Sequence, residues 1–370
     1  MRGRAVVPVH DTTWQEPWPV ISLNFLDSRR LLFTFVARSP KVALSRGASG
    51  AGAYVLEGVV LDVANGRVLA TPSWPSHSDR ATVIAVNDQG LVIKSGLQLT
   101  LLSPSLTILR SLQLPAPPPQ RFGEEWIAIP SWTGNRVLFQ GLAERDALGP
   151  WLWLDSRDLR ILDHWTWTDT DAVGGVAVSD QAMVMTKVGP EFAPPYYLVR
   201  GLHSRWAPAP LPASDVLPSY GLWFVGPETV AYFSDPPLDP GQSRRNFHLA
   251  SLDGSVTEIV PQKLHGWAVG RPAVSRAGSR FVLGEWQVKG GISFLDIPDR
   301  SILRGLLLFD HQGMQPRFDI PLSGSRARDP SCALSPDGQH LVLLSGDNSL
   351  IEIYTLPPVA GAVTGQPGRP

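Results

Sequence analysis

The chain has 370 residues, of which 43% are hydrophobic and 18% charged, and its formal net charge is −1. Balanced charge without blocks of like residues gives no electrostatic footprint for nucleic acid or an anionic membrane. The single cysteine, Cys332, excludes an intrachain disulfide and a cysteine-based metal cluster. No apolar run reaches the roughly 18 residues of a membrane span. Because no leader pattern is visible either, the sequence as written predicts a cytoplasmic protein without membrane insertion.

Short apolar segments separated by turn residues recur along the chain with a period of about 40 to 50 residues. Each unit has four segments, here called a, b, c and d, which are rich in Val, Ile, Leu and aromatic residues. Gly, Asn and Asp mark the turns, as in Asp27-Ser28 and Asn65-Gly66 of the first unit. This pattern predicts antiparallel β-meanders. In chain order the units are expected at residues 19–71, 80–114, 126–167, 175–208, 221–260, 271–321 and 331–356.

The third unit carries tryptophans at a spacing of two, in the pairs Trp151, Trp153 and Trp165, Trp167. Side chains two residues apart on a strand lie on the same sheet face. This spacing favours an aromatic core between sheets, and a platform for stacking carbohydrate is the alternative.

The last unit has three segments and no segment d, whereas the apolar segment at residues 4–9 belongs to no unit. A strand from the N-terminus would complete the last sheet and remove its open edge. The sequence therefore predicts an all-β fold, a seven-bladed β-propeller of four-stranded antiparallel blades over residues 1–358, with the N-terminal strand closing the last blade. A disordered Gly/Pro-rich tail is expected at residues 359–370. The insertion at residues 287–300 could hold further strands, so eight blades are the alternative.

The last unit also carries a family resemblance. The run from Leu334 to Val342, LSPDGQHLV, resembles the Ser-Pro-Asp-Gly repeat of WD40-like and YVTN-type bacterial β-propellers. Weaker echoes occur at residues 178–181 and 274–278, and no unit contains the Trp-Asp or Gly-His pairs of true WD40 repeats. The resemblance implies the propeller fold and is silent on the ligand.

Motifs for catalysis are absent from the sequence. The eight histidines form neither His-x-His nor His-Glu-x-x-His, and no Gly-x-Ser-x-Gly elbow occurs. The glycine-rich stretch at residues 45–52 lacks the Gly-Lys-Ser/Thr ending of a phosphate-binding loop and is interpreted as a b–c connection. No catalytic residue, metal ligand or cofactor is therefore assigned.

The d–a and b–c connections are long, whereas the a–b and c–d turns are short. In a propeller the long connections would share one face around the central channel, here called the loop-rich face. Long loops on a rigid scaffold are where binding usually occurs. Arg271 and Arg328 are expected to anchor an acidic group, with Trp267 as an aromatic contact. The candidate binding residues are Arg80, Glu125, Asp171, Tyr220, His265, Trp267, Arg271, Arg328 and Asp329.

Two functions follow from this arrangement. The first is a non-enzymatic binding or protein-interaction module whose ligand, a protein or a small molecule, is unknown. The second is a hydrolase or lyase of the propeller type, with a divalent cation such as Ca²⁺ at the channel mouth. Its site would consist of Glu125, Asp171, His265 and Arg271.

Overall fold

The computed structural model describes residues 4–8, 21–38, 54–116, 126–142, 148–166, 172–188, 196–200, 209–210, 218–234, 246–252, 256–259, 272–278, 280–289, 300–310, 313–321, 332–344 and 350–358. Within these ranges every regular element is a β-strand. No helix in them is both long and apolar enough to span a membrane. The predicted tail at residues 359–370 lies outside the described residues.

The described strands form seven antiparallel sheets, numbered here in chain order. The first sheet contains β2 (Ile21–Phe25), β3 (Arg30–Arg38), β4 (Tyr54–Asp62), β5 (Val68–Ala70) and β6 (Ser73–Ser76). The second contains β7 (Thr82–Asn87), β8 (Gly90–Ser95), β9 (Gln98–Leu102) and β10 (Ile108–Gln113). The third contains β11 (Trp126–Pro130), β12 (Arg136–Leu142), β13 (Leu148–Asp155) and β14 (Arg160–Thr166).

The remaining sheets repeat the four-stranded pattern. The fourth contains β15 (Ala172–Val178), β16 (Ala182–Val188), β17 (Tyr196–Arg200) and β18 (Ala209–Pro210). The fifth contains β19 (Pro218–Phe224), β20 (Thr229–Ser234), β21 (Asn246–Ser251) and β22 (Val256–Ile259). The sixth contains β23 (Ala273–Val274), β24 (Arg280–Lys289), β25 (Arg300–Asp310) and β26 (Gly313–Pro321). The seventh contains β27 (Cys332–Leu334), β28 (His340–Leu344), β29 (Leu350–Thr355) and β1 (Arg4–Pro8).

The N-terminal strand supplies the outer strand of the seventh sheet. β1 pairs antiparallel with β29, with Arg4 opposite Tyr354 and Pro8 opposite Leu350. This pairing covers the edge that β29 would otherwise expose. The prediction that both chain ends share one sheet is confirmed, whereas the number of blades in the whole chain stays a prediction.

Apolar clusters join six of the seven neighbouring pairs of described sheets, and strands β11 and β12 of the third sheet contact β15 of the fourth. Leu23 and Phe33 of the first sheet pack with Val342 and Ile353 of the seventh, so the last sheet contacts the first. Further clusters join the first sheet to the second, the second to the third, the fourth to the fifth, the fifth to the sixth and the sixth to the seventh. The core therefore lies between sheets arranged in a ring, as the propeller prediction requires.

The tryptophans of the third sheet belong to this core. Trp151 is 1% exposed and Trp153 is 2% exposed. The core interpretation is confirmed for this pair, and side chains so deeply buried cannot stack on carbohydrate. The side chains of the second pair, at residues 165 and 167, lie outside the described part.

The outer strand of the first sheet differs from the prediction. A single strand was expected at residues 67–71, but β5 and β6 both pair with β4. Pro72 separates them and has no N–H to donate, although its carbonyl accepts from Gly58 at 2.8 Å. An edge strand tolerates such an interruption because one side of its ladder is unpaired.

The long insertion of the sixth unit begins later than predicted. β24 and β25 remain paired as far as Lys289 opposite Arg300, so the ends of the expected insertion extend a hairpin. Residues 290–299 lie beyond the described strands.

Candidate functional site

The turns that join the first and second strands have the same geometry in three sheets. Residues 131–134, 275–278 and 335–338 all follow a Ser-x-x-Gly pattern. Each serine hydroxyl accepts a hydrogen bond from the N–H that begins the next strand, from Arg136 to Ser131 at 3.1 Å, from Arg280 to Ser275 at 3.0 Å and from His340 to Ser335 at 2.8 Å.

The glycine completes each of these turns. Gly134, Gly278 and Gly338 adopt φ values of 78°, 65° and 70°, and each N–H donates to the carbonyl of the turn serine. Glycine enters this left-handed region without the steric cost of a Cβ. Because the three turns share these hydrogen bonds and this glycine conformation, the second residue of each pattern takes an equivalent position. Those residues are Trp132, Arg276 and Pro336.

Arg276 reaches from the sixth sheet to the first and second. Its Nη2 donates to the carbonyls of Phe25 at 3.2 Å and Leu26 at 3.0 Å. Its Nη1 forms an ion pair with Asp88 at 3.4 Å. Burial lowers the pKa of Arg276, and the nearby carboxylates of Asp88 and Asp27 oppose that shift. The guanidinium therefore joins turns from three sheets at the centre of the ring.

Trp132 reaches from the third sheet to the sixth. An ideal Cβ built on Gly278 would lie 3.1 Å from Cη2 of Trp132 and 3.7 Å from Cδ of Pro227. The indole also packs on the apolar cluster between the fourth and fifth sheets. The seventh sheet joins these turns because Ala277 N donates to the Pro336 carbonyl at 3.0 Å. The turn of the fourth sheet joins them through Asp180, which accepts from Thr133 Oγ1, so turns from all seven described sheets meet on one face, here called the turn face.

The turn face contains a cavity of about 570 Å³ beside Trp132. Its lining includes two carboxylates, Asp180 from the fourth sheet and Glu228 from the fifth. Thr133 Oγ1 donates to Asp180 Oδ1 at 2.5 Å, and Asn135 Nδ2 donates to Oδ2 at 2.9 Å. The cavity is lined by Trp132, Ser179, Asp180, Gln181, Pro227, Glu228 and Thr229.

Sequence reasoning did not find this cavity. The Ser-x-x-Gly pattern at residues 275–278 and 335–338 recurs at residues 131–134, but that third copy was not recognised. Aligning the three turns would have placed Trp132 beside Arg276 as a residue of the channel mouth. The cavity itself depends on contacts between separate sheets, for which the local sequence pattern gives no sign.

Two of the nine predicted site residues lie in the described part. Arg80 is exposed in the connection between β6 and β7, and its N–H donates to Ser78 Oγ at 3.0 Å. Tyr220 was expected in a connection, but it lies within β19 opposite Phe233, because that strand begins earlier than predicted. The other seven, Glu125, Asp171, His265, Trp267, Arg271, Arg328 and Asp329, are outside the described residues.

Three features of the described residues bear on the chemistry that they can support. None of them form a group of three or more His, Cys, Asp or Glu side chains suited to a metal ion. Burial raises the pKa of the Cys332 thiol to about 11, so the thiolate is scarce at neutral pH. An aromatic wall beside two carboxylates is suited to holding a cationic group.

Comparisons with known proteins support the fold. No protein-family model and no curated protein matches the chain. The WD40 domain of Neurospora crassa Pan2 is similar at 8% identity, with 96% of this chain and 95% of that chain covered and a TM-score of 0.53. Kuenenia stuttgartiensis hydrazine synthase is similar at 10% identity, with 94% and 97% covered and a TM-score of 0.51.

The β-propeller domain of the trilobed protease from Pyrococcus furiosus is also similar, at 8% identity, with 92% and 99% covered and a TM-score of 0.52. That domain is described as having an open velcro topology, whereas β1 pairs with β29 in this chain. Identities this low show the fold alone. The chain has a WD40-like β-propeller fold, as its Ser-Pro-Asp-Gly resemblance predicted.

Proposed function

We propose that this WD40-like β-propeller is a non-enzymatic binding module whose partner engages the loop-rich face. The proposal rests on the difference between the turn face and the loop-rich face. On the turn face, Arg276 and Trp132 join short turns across the centre of the ring. On the other face the strands are joined by long connections, such as residues 39–53 between β3 and β4 and residues 260–272 between β22 and β23.

Because the turn face is held together by these contacts, the loops of the opposite face can vary in sequence and length without disturbing the scaffold. The proposed partner has an acidic group that Arg271 and Arg328 bind, because a guanidinium pairs with carboxylate or phosphate through two parallel hydrogen bonds. Trp267 provides an aromatic contact, a residue type enriched where binding energy concentrates. Arg80, Glu125, Asp171, Tyr220, His265 and Asp329 complete the proposed contact surface.

The test compares two double variants by quantitative affinity capture from lysate, followed by measurement of the affinity for the captured partner. We expect Arg271→Ala with Arg328→Ala to reduce capture of the partner while leaving the melting temperature nearly unchanged, as is usual for exposed charges. The matched control is Arg29→Ala with Arg67→Ala, which removes two exposed arginines from the turn face. This control should capture the partner as the wild type does.

Two results would refute the site assignment. Capture could be equal in both double variants, which would place the partner elsewhere. Alternatively, the Arg271/Arg328 variant could melt much earlier while its folded fraction still binds normally, which would make these arginines structural.

A further inference from the structure

We propose that the cavity beside Trp132 is a second binding site, on the turn face, that holds an arginine side chain of a partner polypeptide. The site shares no residue with the loop-rich face. Its test is therefore independent of the proposed function.

The aromatic wall is the first observation that supports this ligand. Trp132 is partly exposed, and its ring is held against Gly278 and the apolar cluster between the fourth and fifth sheets. Tryptophan is the best aromatic partner for a cation, and the flat guanidinium of arginine can stack on it. Because the ring is already packed, little side-chain entropy is lost when a ligand binds.

The carboxylates are the second observation. Thr133 and Asn135 each bind one oxygen of Asp180, which fixes the orientation of that carboxylate. Two carboxylate oxygens can accept about four hydrogen bonds, so acceptor positions remain. Glu228 is exposed on the neighbouring turn, and within the described part its carboxylate contacts no cation. The turn itself is held because Leu252 N donates to the Glu228 carbonyl at 2.9 Å.

The charge balance of the cavity is the third observation. Among the described residues, its lining contains Asp180 and Glu228 and no lysine or arginine. Asp180 interacts electrostatically with Arg157, but the ion pair of Arg157 is with Asp155, whose Oδ2 lies 2.7 Å from Nη2. Arg276 is directed to the carbonyls of Phe25 and Leu26. The described lining of the cavity therefore carries a net negative charge.

The same features favour arginine over other cations. A hydrated divalent ion gains nothing from an indole wall, and the described residues of the lining include only two carboxylates, without a third charged ligand beside them. Lysine can also bind beside tryptophan, but its ammonium cannot donate two parallel hydrogen bonds to one carboxylate. A volume of about 570 Å³ is in the range of sites that hold small ligands and admits an arginine with part of its neighbouring backbone.

The experiment measures the affinity of the full chain for a fluorescein-labelled Gly-Gly-Arg-Gly-Gly peptide by fluorescence polarisation at low ionic strength. A second peptide has citrulline, the neutral isostere of arginine, in place of arginine. We expect the citrulline peptide to bind about tenfold or more weakly, because it lacks the charge that strengthens both hydrogen bonds. A lysine peptide should bind with intermediate affinity.

Three variants, two in the cavity and one control, test whether the peptide binds in the cavity. Glu228→Gln should weaken binding of the arginine peptide about threefold to tenfold, the range of an exposed to partly desolvated charge pair. Trp132→Leu should weaken it about twofold to thirtyfold through loss of the cation–π contact. The control, Asp163→Asn, removes a carboxylate from the outer strand β14 and keeps the oxygen that accepts from His164 N. It should bind as the wild type does.

The proposal fails if the arginine peptide does not bind, or if the arginine and citrulline peptides bind equally. It also fails if Glu228→Gln retains wild-type affinity. Trp132→Leu can reduce stability as well as binding because the ring packs on a core cluster. Glu228 has no such packing role, so the affinity of the Glu228→Gln variant decides whether the peptide binds in this cavity.

Discussion

Turn glycines with the same backbone conformation differ in what surrounds them. Gly96 and Gly134 have φ values of 60° and 78°. Among the described residues, a Cβ on Gly96 would meet only Ser78 Cβ, at 4.0 Å, whereas a Cβ on Gly134 would lie 2.1 Å from the Val86 carbonyl oxygen. Gly134 is therefore required both by its φ value and by the close approach of the second sheet.

Replacing each glycine with alanine separates these two effects. Gly96→Ala should cost about 1 to 2 kcal/mol of unfolding free energy, the cost of a left-handed alanine. Gly134→Ala should cost about 2 to 5 kcal/mol, because the backbone of the second sheet must also shift. Urea unfolding of both variants measures the difference. Equal losses of unfolding free energy would show that the second and third sheets adjust at the contact between Gly134 and Val86 without an energetic cost.

The thiol of Cys332 should react slowly in the folded protein. Burial raises its pKa from the ordinary 9.0 to about 11, because the low-dielectric surroundings disfavour the charged thiolate. The rate of alkylation by iodoacetamide should therefore be low at neutral pH and continue to rise beyond pH 9. The control is the same protein in urea, in which the rate should level off near the ordinary pKa. Rapid alkylation of the native protein at pH 7 would contradict the shift.

At the scale of elements, a buried ion pair recurs where the second strand of a sheet begins. Arg136 and Asp155 lie opposite each other in β12 and β13, and Arg280 and Asp310 occupy the same positions in β24 and β25. The ion-pair distances are 2.5 Å and 2.8 Å. Arg280 also donates from Nη1 to the Gly338 carbonyl at 2.8 Å, which ties the sixth sheet to the seventh.

Loss of one partner from this buried pair should be costly. Arg280→Met should destabilise the protein by about 3 to 5 kcal/mol, because the Asp310 carboxylate would stay buried without its guanidinium. The matched control is Arg30→Met, since Arg30 pairs with Asp27 at 2.6 Å where both side chains are more than a third exposed. Exposed pairs contribute at most about 1 kcal/mol. Chemical denaturation measures the unfolding free energy of both variants. Similar losses of unfolding free energy would contradict the role of burial.

The elements that local chemistry specifies were predictable from the sequence. Asp27-Ser28 and Asn65-Gly66 form turns because their side chains and glycine suit tight backbone geometry, and both lie between strands as expected. The split of the outer strand at Pro72 was missed, although the missing N–H of proline is itself visible in the sequence. The cavity was missed for another reason. Trp132 meets Gly278 only after the ring closes, so the contact has no local sequence pattern.

At the scale of the whole molecule, contacts between the chain ends close the ring. The apolar cluster of Leu31 and Phe33 with Val342 and Ile351 joins the first and seventh sheets. β1 adds backbone pairing along β29, and those hydrogen bonds tie the start of the chain to its last strand. Because a propeller blade cannot bury both of its faces alone, loss of one closing contact should affect the entire ring.

Deletion of residues 1–8 should therefore lower the stability of the whole protein. The deletion removes β1 and leaves β29 as an unpaired edge, which also invites association between copies. We expect the melting temperature to fall by roughly 4 to 7 °C, because a loss of about 3 to 5 kcal/mol lowers it by about 1.3 °C per kcal/mol in a chain of this size. The control is deletion of residues 359–370, the tail that the sequence places outside the fold. Calorimetry and size-exclusion chromatography compare the two, and equal melting temperatures would mean that the ring closes through side-chain packing of the first and seventh sheets alone.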